Sequence, residues 1–197
     1  MGEMRTIGCW LAVLLCFAVS QAWAEEPATP ELESEPGFTV LTAESQLVDG
    51  VVRLDVLFGL TFSDDLVEAL QNGVSLNLLI DIEILKERNY VWSKQVAKIE
   101  QRYQISYQPL TNLYVLNNLN SDLVFQFPTL ESLLAVITVL HDFPLLDYSL
   151  LEADASYRGD IRISVDRESF PVPLRLMSYV SGDWHLASDW YSWPLLP

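Results

Sequence analysis

The chain has 197 residues, of which 27 are Asp or Glu and 11 are Lys or Arg, for a formal net charge of −16. Half of the residues are hydrophobic and 19% are charged. That balance excludes a fully disordered chain, and the acidic surplus excludes a polybasic nucleic-acid binder. After the first two dozen residues no apolar run approaches the roughly 20 residues that a membrane-crossing helix needs.

The first 24 residues have the three parts of a secretory signal: Arg5 near the amino end, an apolar stretch from Ile7 to Val19, and Ala22-Trp23-Ala24 with small residues at both inspected positions. Cleavage after Ala24 and a periplasmic or secreted product are the expectation. Cys9 and Cys16 both lie inside this segment. The exported chain is therefore expected to have no disulfide, catalytic thiol or thiolate metal site. Val13-Leu14-Leu15 ahead of Cys16 lacks the small residue of a lipoprotein cleavage box. Residues 25–37 (EEPATPELESEPG) hold five Glu and three Pro with no basic residue, which predicts an extended, solvated leader. Taking away those five Glu, with Glu3 and Arg5 cancelling, reduces the charge from −16 to −11 for residues 38–197. Such an acidic body repels nucleic acid and anionic lipid, so neither is expected as a partner.

From Phe38 onward the hydrophobic period is mostly two. Asp49-Gly50 between Val48 and Val51 reads as a two-residue hairpin turn, since both central positions tolerate positive φ. A strand to about Leu60 follows. Ser63 caps a short helix that has Asp64 and Asp65 at its positive end, Leu66, Val67 and Leu70 on its apolar side, and Gly73 closing it. In the next strand, Val74 to Leu85, the residues Leu76, Leu78, Ile80, Ile82 and Ile84 share one face. Asn77, Asp81 and Glu83 share the other. Alternation resumes from Val96 to Tyr107, with shorter strands at Leu113 to Leu116 and Leu123 to Phe127. Thr129 caps a second helix through Leu140, ended by Pro144. Ile161, Ile163 and Val165 mark a later strand, and Trp184 to Trp193 the closing one. Seven or eight short strands, two short helices and no βαβ rhythm predict a mainly β antiparallel sandwich, immunoglobulin-like or related, with helices in its connections. One domain over 38–197 is the simplest division.

Spaced residues in this body resemble a known family. Gly73-Val74-Ser75-Leu76, Arg88, Trp92, Tyr103-Gln104-Ile105-Ser106-Tyr107 and Tyr114 come in a recognisable order. So do Tyr157, Arg162, Val165-Asp166, Pro171, Pro173-Leu174, Trp184, Ser188, Trp190 and Trp193. Together they resemble an exported proteobacterial family, domain of unknown function 4390, some of whose members are labelled proline-rich signal peptide proteins. Ser75 stands where the pattern has proline, and Ile105 where it has leucine. The resemblance implies an envelope address and a shared fold; it brings no assigned activity and no catalytic or binding residue.

No phosphate-cradling glycine loop, nucleophile elbow or zinc-protease helix occurs in the sequence. His141 and His185 lack metal-ligand spacing, and a structural part is expected for each, His141 at the carboxyl end of the second helix. No metal, cofactor or catalytic residue is expected. Asp81 and Glu83 project from one strand face roughly 6–7 Å apart. That invites a glycosidase reading, but five aliphatics opposite them favour a strand with one solvated side. Lys86, Arg88, Lys94, Lys98 and Arg102 surround Trp92 and Tyr90 at the connection of an expected long hairpin. This is a basic, aromatic patch suited to an acidic partner, although such charges also blunt a strand edge. Trp184, Trp190 and Trp193 could stack a sugar ring beside Asp183 and Asp189, although closing strands often supply core aromatics.

The leading functional expectation is a non-catalytic envelope protein that binds or supports another envelope protein through Lys86, Arg88, Trp92, Lys94, Lys98 and Arg102. The alternative is a small-ligand or glycan-binding module using Trp184, Trp190 and Trp193.

Overall fold

The computed structural model describes residues 36–88, 92–170 and 186–195. The segment expected to be an export signal, nearly all of the acidic leader, Tyr90, Pro171, Pro173, Leu174, Asp183, Trp184 and His185 lie outside the described residues. Among the described residues nine strands form two antiparallel sheets. The narrower sheet has the order β1 (Gly37–Val48), β2 (Val51–Thr61), β7 (Val139–Asp147). The wider one runs β6 (Leu123–Phe127), β5 (Leu113–Asn118), β4 (Lys94–Gln108), β3 (Leu76–Lys86), β8 (Tyr157–Val165), β9 (Tyr191–Pro194). Helices α1 (Asp64–Gln71) and α2 (Leu130–Thr138) sit in the connections. The chain thus forms the mainly β sandwich that its alternation predicts.

Local chemistry sets the corners. Asp49 and Gly50 both have positive φ, 51° and 81°, and hold the β1–β2 turn. The Ser63 hydroxyl accepts from the Leu66 amide to start α1. Thr129 accepts from the Ser132 amide while Ser132 Oγ accepts from the Thr129 amide, a reciprocal cap for α2.

The core lies between the sheets. Val52, Leu54, Val56 and Phe58 of β2 face Leu76, Leu78, Ile80, Ile82 and Ile84 of β3 and Ile161, Ile163 and Val165 of β8, and all are buried in one apolar cluster. Three strands cannot cover six. β1 meets β8 and β9, while α2 packs against β2, β5, β6 and β7 and extends the cover towards the far edge of the wider sheet. Ser45 of β1 ties the sheets together, its Oγ donating to the Leu195 carbonyl and accepting from Trp193 Nε1.

One expectation is overturned. The second helix stops at Thr138, and Val139–Asp147 is a strand containing Pro144. Antiparallel pairing with β2, from Leu57↔Val139 to Val51↔Asp147, outweighs the helical spacing of Leu140. His141 therefore lies on a strand, where Nδ1 sits 2.6 Å from Asp55 Oδ1, and not at a helix end.

Candidate partner-binding site

The long hairpin expected from the basic segment is present. β3 and β4 pair from Leu76↔Ile105 to Lys86↔Lys94, with one irregularity between Ile84 and Leu85. Every second residue of β3 enters the core, so the odd-numbered residues and their β4 neighbours form the outer face.

Across that face runs a ladder of charges. Arg102 Nη2 and Lys98 Nζ each lie 2.8 Å from a Glu100 carboxylate oxygen. Lys98 Nζ is also 3.9 Å from Asp81 Oδ1, and Arg162 Nη2 is 3.1 Å from Asp81 Oδ2. Register explains the order: Asp81 stands opposite Glu100 on one side and Arg162 on the other. The hydrogen bond from Lys98 and then that from Arg102 lower the Glu100 carboxyl to about 2. The same contacts, with the hydrogen bond first, raise both Lys98 and Arg102.

Asp81 departs from the solvated-face expectation. It points away from the aliphatic face but is only 5% exposed, held by Arg162 and Lys98. Glu83 is half-buried. Neither carboxylate lines either of the two clefts described below. Among the described residues no three His, Cys, Asp or Glu side chains converge as metal ligands.

The six residues nominated around the hairpin separate into three groups. Lys98 and Arg102 belong to the ladder. Lys86 bonds Glu152 at 2.5 Å, which lowers the Glu152 carboxyl, chiefly through that hydrogen bond. Arg88, Trp92 and Lys94 remain exposed at the hairpin tip. Trp92 is 94% exposed. Among the described residues neither Arg88 nor Lys94 takes part in an ion pair. Beside the tip, a cleft of about 460 Å³ is lined by Glu87, Tyr148, Leu151, Glu152 and Tyr157, among others.

The closing tryptophans also separate. Trp193 is 3% exposed, packed over Gly159, and offers no free face. Trp190 is 43% exposed and lies on a groove of about 300 Å³ with Thr39, Asp189 and Tyr191. The Arg162 guanidinium stacks on its ring, 4.7 Å from the centroid. Sequence reasoning missed this stack and the Glu152 partner of Lys86, because both depend on which strands and loops become neighbours.

A β-sandwich with an exposed basic-aromatic hairpin tip is the class that these features define. The family model described as Domain of unknown function (DUF4390) matches residues 35–194, and the chain belongs to that family. No curated protein and no solved structure matches it.

Proposed function

We propose that this protein is a non-catalytic, exported component of the cell envelope that binds another envelope protein through the tip of its β3–β4 hairpin. One observation carries the reading: Trp92 stands almost wholly in solvent between Arg88 and Lys94. An isolated exposed indole is costly in water, and Trp and Arg are the side chains that most often anchor protein interfaces. The complementary partner has an apolar pocket for the indole and acidic groups at its rim. Export rests on the signal-like sequence of residues 1–24.

The test is in-cell crosslinking from a photoreactive residue placed at Ser93, exposed beside an intact Trp92, followed by identification of the captured protein. Capture should depend on Trp92 and Lys94, so Trp92→Ala and Lys94→Glu reduce it while the fold is retained. Repeated absence of any captured protein from stably expressed material overturns the proposal.

A second reading is favoured by the Trp190 groove: a small-ligand or glycan-binding module in which the exposed ring stacks a sugar and Asp189 accepts hydroxyl protons. Quenching of tryptophan fluorescence by envelope sugars, abolished in Trp190→Phe, supports it. Unchanged emission at saturating sugar removes it.

A further inference from the structure

A pair of sheets has four outer edges, and three of them here carry devices that discourage pairing with another chain. β1 is irregular between Val40 and Thr42. β7 contains Pro144, has two irregularities in its pairing with β2, and places Asp142 at φ 55°. β9 is four residues long and ends in Pro194. The fourth edge, β6, is five residues long, with Asp122 at φ 57° before it and Pro128 after it, but within the strand it has no proline, no irregularity and no positive φ. Its sequence Leu-Val-Phe-Gln-Phe has no charge, glycine or proline, and its register with β5 is unbroken from Leu123 to Phe127. Leu123, Val124 and Phe125 are each about half exposed. Among the described residues no strand lies on its outer side.

We infer that β6 is a self-association edge, which pairs antiparallel with β6 of a second copy of this chain and joins the two wider sheets. This surface is separate from the hairpin tip, and the inference does not depend on the function proposed for that tip.

Self-complementarity selects the occupant. A two-fold pairing centred on Phe125 sets Phe125 beside its own counterpart, Leu123 opposite Phe127 and Val124 opposite Gln126. All of these are uncharged, and one face is wholly apolar. Charge is the obvious objection, since each copy carries −16. From Tyr103 to Leu140, however, the only ionised residues are Asp122 and Glu131. In the centred register Asp122 falls opposite Pro128, which leaves the two Asp122 carboxylates roughly 20 Å apart at about 3.4 Å per residue. That exceeds the Debye length of about 8 Å at physiological salt. The ionic ladder begins two strands away from β6, on β4. The remaining long-range repulsion weakens the dimer at low salt without blocking the edge. Five paired residues bury less than the roughly 1,200 Å² of a standard interface, so the association falls in the micromolar-to-millimolar range.

Sedimentation velocity of the full chain between about 10 and 500 µM, at low and high NaCl, tests this over the range set by such an area. The expected result is a reversible monomer–dimer equilibrium that tightens at least about threefold as salt rises, the reverse of attraction between opposite charges. Val124→Lys should abolish the dimer with circular dichroism and melting temperature unchanged. Adding Gln126→Glu to it should restore dimerisation. In the centred register position 124 of one copy faces position 126 of the other, so each introduced ammonium meets an introduced carboxylate. A wild-type chain monomeric to about 500 µM overturns the inference and leaves the edge to a strand from a different protein. A dimer indifferent to Val124→Lys, or one that the double variant fails to restore, overturns it as well.

Discussion

The indole of Trp193 lies directly over Gly159, its cross-strand partner, in the space that any side chain at 159 would occupy. Glycine usually weakens a strand interior, and here its missing Cβ is what admits the ring. Gly159→Ala should therefore destabilise the protein by about 1–3 kcal/mol through overpacking, read from urea unfolding. A variant as stable as wild type would show that the ring has somewhere else to go.

Arg162 holds two groups at once, the buried Asp81 carboxylate and the face of Trp190. Replacing it with alanine leaves Asp81, among the described residues, with only the 3.9 Å contact to Lys98. The expected cost is about 1–3 kcal/mol, the range for a buried polar group that loses its partner. Trp190 emission should shift in the same variant. A neutral Arg162→Ala would mean that Asp81 rehydrates freely.

The Glu100 carboxyl is held near 2, below its ordinary value of 4.5. A depressed folded-state value contributes stability that is fully present above the unfolded value and is lost as pH falls through the folded one. The Glu100 contribution should accordingly decline between about pH 4.5 and pH 2. Carboxyl NMR titration of Glu100 should give a midpoint near 2 in wild type and a clearly higher one in Lys98→Gln, which removes the leading cause.

Exposure separates the tryptophans optically. Trp92 is bare and Trp193 is enclosed, so Trp92→Phe should remove much of the acrylamide-quenchable emission and Trp193→Phe little of it. Trp92→Ala should also leave stability within about 0.5 kcal/mol of wild type, as expected for a surface position.

The cap of α2 is a further check. Thr129→Ala deletes the hydroxyl side of its reciprocal hydrogen bonding, and a loss of about 1 kcal/mol in thermal unfolding is expected.

Local chemistry was legible from the amino-acid sequence because it acts over a few residues. The Asp49-Gly50 turn, the Ser63 and Thr129 caps and the aliphatic face of β3 could all be read directly. β7 was not: its identity depends on β2, more than 80 positions earlier, and short-range periodicity at Leu130–Leu140 carries no trace of that partner. The site shows the same division. Trp92 could be nominated from its basic neighbours, and the structure places it in solvent. Lys98 and Arg102 read as free cations until the register set Glu100 and Asp81 beside them. Burial of Trp193 required Gly159 opposite it, which no spacing rule connects.

The knot of Ser45 with Trp193 and Leu195 spans about 150 positions of chain, and β3 meets β8 about 80 positions after it. A polypeptide synthesised from its amino end delivers β1 and β3 long before β8 and β9 arrive to shield them. During that interval the Leu76–Ile84 stripe has no lid on its β8 side. Folding should therefore be slow for a chain of this size, and chaperones that hold unfolded chains should find their binding stretch in β3 rather than in the surface-facing hairpin tip.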